Sequence, residues 1–130
     1  MKEPRWIPAP AALAIHAELM AEHGGAAGVR DENVLQATLA RPRNLHAYAR
    51  PSLFELAAAY AFGFARNHPF VDGNKRMALA ALDVFLRMNR YELAADEPEA
   101  ASTIWALAEG RVSEAELARW IKRNTRKTAE

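Results

Sequence analysis

Two consecutive stretches of this chain are apolar on nearly every face, with only a short loop between them. The first carries Leu53, Phe54, Leu56, Tyr60, Phe62 and Phe64 with alanines interspersed; the second carries Met77, Leu79, Leu82, Val84, Phe85, Leu86 and Met88. A helix with apolar residues all round has no face to offer water, so it is buried. In a chain of 130 residues such a pair has to form the centre, with the remaining elements packed around it. This length fits one domain, residues 1–130, large enough to bury roughly two-thirds of its unfolded surface. Alanine is abundant and β-branched residues are few, which points to helix. The expected fold is all-α: a compact bundle of about six helices around a central buried helix pair, with one short flap or hairpin.

The punctuation of the chain sets the other elements. Pro8 and Pro10 open a first helix that runs to about His23, where Gly24-Gly25 stops it. Asp31 is suited to cap a second helix through Val34, Leu35 and Leu39, expected to end before Pro42. Two prolines bracket residues 42–51, so this stretch reads as a short hairpin or an extended flap, with His46 and Tyr48 inside it. Ser52 and Glu55 make a capping box at the start of the first central helix. That helix breaks at Asn67-His68-Pro69, and the second begins after Gly73. A further helix starts at Glu97 or Pro98 and stops at Gly110. A second capping box, Ser113 with Glu116, opens the last one. Residues 122–130 read as a frayed basic tail.

Lys and Arg number 17 against 16 Asp and Glu. A net charge of +1 makes no broad field for nucleic acid, so direct nucleic-acid binding is not expected. There is no cysteine, which excludes disulfides, thiol catalysis and thiolate metal sites. The N-terminus lacks the apolar core of a signal peptide, and no apolar run approaches the ~20 residues that span a bilayer. The expected location is the cytoplasm, away from membranes.

The mouth of the second central helix breaks a local rule. Helix N-termini favour acids, because aligned peptide dipoles leave partial positive charge there. Here Lys75 and Arg76 occupy the first turn. The simplest compensation is a bound polyanion. The neighbours agree: Gly73 lets backbone N–H groups approach a ligand, Asn74 adds amide donors, and Asp72 offers a hard oxygen to Mg²⁺. His68 has the intrinsic acidity to take a proton from a hydroxyl. Each alone has an ordinary reading: Asp72 as a helix cap, His68 as a surface histidine, the cations as solvated charges, Phe70 as core. Gathered between two buried helices, they are the parts of a phosphoryl- or nucleotidyl-transfer site.

His68 to Arg76 reads His-Pro-Phe-Val-Asp-Gly-Asn-Lys-Arg. This resembles the Fic signature, His-Pro-Phe-x-Asp/Glu-Gly-Asn-Gly/Lys-Arg. Chain length, helix order and the Gly110 to Trp120 ending resemble the Doc (death-on-curing) branch of the Fic/Doc family. The resemblance implies a catalytic His68, a Phe70 that anchors the loop and an Asp72 that holds Mg²⁺. It also implies that Gly73, Asn74, Lys75 and Arg76 bind the phosphates of the donor, ATP, with Arg66 as a further phosphate contact. Residues 42–51 would be a flap that aligns a target segment by strand addition.

By the same resemblance the chain would be the toxin of a type II toxin–antitoxin system. It would be a protein kinase that phosphorylates a threonine, expected on elongation factor Tu, and so blocks translation. A separate Phd-like antitoxin would inhibit it, docking in an apolar groove for which Trp6 and the first helix are candidates. No inhibitory Ser/Thr-x-x-x-Glu-Gly/Asn motif lies near the site. Fic-type protein adenylylation is the alternative, and a non-catalytic helical binding module, supported by the basic tail, is the third reading. Two departures favour the kinase. Lys75 stands where AMP-transferring members carry glycine, and Leu79 where they carry a second arginine. Gly73 and Pro69 resemble general Fic proteins instead, and Ala80 lacks the polar group of some Doc-like chains.

Overall fold

The computed structural model describes residues 3–128. They form six helices, α1 (Ala9–His23), α2 (Glu32–Ala49), α3 (Leu53–Asn67), α4 (Asn74–Met88), α5 (Glu97–Ala108) and α6 (Glu114–Arg123). Two three-residue strands, β1 (Tyr91–Leu93) and β2 (Thr125–Lys127), pair antiparallel with Glu92 opposite Arg126. The central pair is as expected. Leu56, Tyr60 and Phe64 of α3 and Met77, Leu82, Phe85 and Leu86 of α4 are fully buried. Burying each such side chain contributes about 1.5–3 kcal/mol. α3 packs against α2, α4 and α6, and α4 against α1 and α5. Gly63 lets α2 approach, since a Cβ there would come within 2.8 Å of Thr38 Cγ2.

Both capping boxes form. At α3, Glu55 N donates to Ser52 Oγ at 3.1 Å and Ser52 N donates to Glu55 Oε1 at 2.8 Å. Ser52→Ala leaves the Glu55 amide hydrogen without its acceptor at the head of the central helix, while the bond from residue 52 N to Glu55 is kept. It is expected to lower unfolding free energy by about 1 kcal/mol, read as a shifted urea midpoint at unchanged slope.

Two expectations are corrected. Residues 42–51 are not a flap: α2 runs on through Pro42 to Ala49, and no strand forms there. An internal proline costs a helix about 3 kcal/mol, but here tertiary packing offsets it. Pro42 is buried, Arg41 makes a two-pronged ion pair with Glu114 at 2.9 and 2.6 Å, and Leu45 packs on the core. Pro51 is the proline that ends the helix, with Arg50 before it in the left-handed conformation at φ 50°. The tail is not frayed as far as Thr128. α6 continues to Arg123, β2 pairs with β1, and Arg126 Nε donates to Glu92 Oε1 at 2.7 Å. The expected fraying of residues 129–130 lies outside the described residues. Among the described residues no helix is long and apolar enough to cross a membrane.

Candidate active site

The loop from His68 to Gly73 is built from both ends. Pro69 bars ordinary helical geometry at His68, and α3 closes there with His68 left-handed at φ 51°. A non-glycine residue in that region is strained by about 1 kcal/mol or more and stays there only when its surroundings dictate it. The segment after α1 does so. Arg30 Nε donates to the His68 carbonyl at 2.6 Å and Arg30 Nη2 to that of Asn67 at 3.0 Å. Arg30 N donates to Pro69 O, Val71 N donates to Gly28 O, and Val29 bridges Phe70.

Phe70 is a buried residue of the loop. It is 1% exposed, and its ring stacks on His16 at 3.7 Å and lies 6.1 Å from Phe64. Asn74 departs from its expected role. Its side chain accepts from Phe70 N and donates to Phe70 O, both at 3.0 Å. The oxygen and one amide hydrogen are thus engaged in fixing the loop, which leaves a second side-chain N–H hydrogen and the backbone for a ligand. Gly73 caps α4 at φ 75°, and a Cβ there would collide with Met20 Cε. The positive φ is what favours glycine here, since the flexible end of the Met20 side chain could shift away from a Cβ.

A cavity of about 360 Å³ opens on this loop, lined by His68, Val71, Asp72, Gly73, Asn74, Lys75, Arg76 and Trp105. His68, Asp72, Lys75 and Arg76 of the sequence motif therefore line one space. Arg66 does not line it; its guanidinium sits 5.4 Å over the Phe62 ring. Among the described residues neither Lys75 nor Arg76 is in a salt bridge. The partner of Lys75 is an indole, with Nζ 3.3 Å from the centre of the Trp105 ring. A cation resting on an aromatic face, at the positive end of a helix, is free to move to an anion.

The residues fit a Mg²⁺ carried with a triphosphate. Asp72 is exposed at the cavity, with Gly73 N donating to its Oδ1 at 2.8 Å and Ala26 N to its Oδ2 at 3.3 Å. Among the described residues no group of three or more His, Cys, Asp or Glu gathers to hold a metal. A lone carboxylate suits Mg²⁺, whose other positions are commonly phosphate oxygens and water.

Sequence reasoning missed Arg30, Trp105 and His16. Trp105 looks like core within an apolar helix yet is 49% exposed. Arg30 and His16 act from distant elements, and no local pattern marks them.

The Fic/DOC family model matches residues 6–86, from ahead of α1 through most of α4 and the whole loop. The chain belongs to the Fic/DOC family. Among its relatives, "Protein kinase doc" of Escherichia phage P1 is 34% identical over 112 residues, 85% of this chain and 88% of that protein. "Toxin Doc" of Mycolicibacterium smegmatis is 48% identical over 77 residues. That second match spans 56% of this chain and 58% of the relative's length. Within the family, this chain is therefore similar to the Doc branch.

Proposed function

We propose that this Fic/DOC chain is the toxin of a type II toxin–antitoxin pair and a Mg²⁺-dependent protein kinase. It would move the terminal phosphate of ATP to a threonine hydroxyl, with elongation factor Tu as the target and arrested translation as the outcome. The observation that carries this reading is the one cavity shared by His68, Asp72, Lys75, Arg76 and the free first-turn N–H groups of α4. The choice of kinase over adenylyltransferase rests on Lys75, on Leu79 and on the phage relative's description as a protein kinase.

In this mechanism His68 takes the proton from the threonine hydroxyl as its oxygen attacks the γ-phosphorus. The bond from that phosphorus to the bridging oxygen breaks, and ADP leaves with the electron pair. Lys75, Arg76 and the N–H groups at the α4 mouth hold the charge that develops on the phosphate oxygens. Asp72 would hold Mg²⁺, which supplies charge neutralisation when bound.

The antitoxin would seat beside the site rather than on Trp6. Trp6 is half-buried and packs on the core, 5.9 Å from Phe85 and 5.5 Å from His46, with Arg43 over its ring. A separate groove of about 440 Å³, lined by Leu19, Leu79 and Leu93 among others, shares Arg76 with the catalytic cavity. An occupant there would compete for the arginine that holds phosphate.

The test is the intact mass of purified elongation factor Tu after incubation with the protein, ATP and Mg²⁺. Gain of one phosphate supports the kinase. A nucleotidyl adduct would mean adenylylation, and an unmodified target at high enzyme would contradict the assignment. A second check concerns Lys75. Binding of ATP with Mg²⁺ draws its ammonium off the indole, so tryptophan emission is expected to change on titration. The change should vanish in Trp105→Phe, where Trp6 and Trp120 remain; an identical change in the variant would contradict the displacement.

A further inference from the structure

His16 is a buried titratable group that the mechanism above does not use. It is 2% exposed, lies on α1, and is separated by 56 residues from the loop it touches. Its Nε2 is 2.8 Å from the carbonyl oxygen of Asp72. A carbonyl only accepts, so Nε2 carries the hydrogen and the tautomer is set. The same ring lies flat on Phe70, at 3.7 Å and 4° between planes. It also passes beneath Gly73, where an added Cβ would sit 3.6 Å from Nε2.

The consequence follows from peptide geometry. In a planar trans peptide the C=O and N–H point in opposite directions. Drawing the Asp72 carbonyl inward to His16 therefore turns the Gly73 N–H outward. That N–H is the one that donates to Asp72 Oδ1 at 2.8 Å. One imidazole thus sets the plane of the Asp72–Gly73 peptide, and through it the aim of the Asp72 carboxylate at the cavity. We propose that His16 is a positioning residue of the transfer site: it orients the Asp72–Gly73 peptide so that the carboxylate faces the metal–nucleotide. This inference rests on the phosphate-transfer reading for its purpose, while the geometry it invokes stands on α1 and the loop alone.

The experiment separates the ring from the hydrogen bond. His16→Phe keeps a flat apolar ring over Phe70 and removes the donor. His16→Gln keeps an N–H donor near the place of Nε2. Two readouts are taken on wild type and both variants: kcat for transfer to elongation factor Tu, and the rise in melting temperature on adding ATP with Mg²⁺. His16→Phe is expected to fold, to lose about ten- to a hundred-fold in kcat, and to show a smaller ligand-induced rise. His16→Gln is expected to recover both. Wild-type values for His16→Phe on both readouts would overturn the proposal, as would a His16→Gln variant no better than His16→Phe.

Absence of transfer by the wild type would count against the kinase reading, and the melting-temperature arm would then judge His16 separately. Should His16→Phe fail to fold, the Nε2 hydrogen of His16 in the wild type decides by NMR. It is expected as a protected resonance that shifts when ATP and Mg²⁺ bind, and an unmoved resonance overturns the proposal.

Discussion

Replacing His68 with alanine is expected to slow transfer by about 10²–10⁴-fold, the usual contribution of a general base, and to leave the protein folded. His68 is exposed and contributes nothing to the apolar core. What holds its backbone is the pair of hydrogen bonds from Arg30 to the carbonyls of residues 67 and 68, and alanine keeps both carbonyls. His68 already sits at a positive φ, so alanine inherits the same strain, and the stability cost is expected to stay under about 1 kcal/mol, at most a few degrees in melting temperature. Steady-state transfer with a parallel thermal melt checks both halves. An unchanged rate would remove His68 from the chemistry, and a collapsed melt would mean that its ring serves the fold.

Phe70→Ala carries the largest expected loss of stability. The ring fills a site between His16 and Phe64, and truncating a buried phenylalanine costs about 3–5 kcal/mol. Domains of this kind unfold at about 5–15 kcal/mol, so the loss is a large fraction of the whole. The damage also reaches the site. Both hydrogen bonds of the Asn74 side chain end on the Phe70 backbone, so a collapsing loop loosens the mouth of α4. Urea denaturation gives the measure. A loss of about 1 kcal/mol or less would contradict the anchoring role.

The parts of this fold readable from sequence are those whose cause is local. The buried pair α3–α4, the capping boxes at Ser52 and Ser113, and the stop at Gly24 all follow from propensity and periodicity within a few residues. The loop motif was legible because two cations at a helix head contradict the helix dipole, and such a contradiction points to a ligand. What stayed hidden is tertiary. Pro42 is a strong breaker on local grounds, and it is overruled by its own burial and by the Arg41–Glu114 ion pair. β2 is too short and basic to declare itself, and it exists because β1 offers an edge to pair with. Asn74 looks like a ligand donor until its side chain is seen closing the loop. Trp105 and His16 enter the site from α5 and α1, and nothing near either of them in sequence announces the contact.

In the proposed mechanism the mouth of α4 receives the phosphates of a metal-bound nucleotide. The most direct test is amide chemical-shift mapping of the protein by NMR during titration with Mg²⁺ and a non-hydrolysable ATP analogue. The largest changes are expected at the backbone amides of Gly73, Asn74, Lys75 and Arg76, with smaller ones at Asp72 and at the indole of Trp105. Saturating analogue that leaves these amides unmoved, or changes that centre on the groove around Leu19 and Leu93, would contradict it.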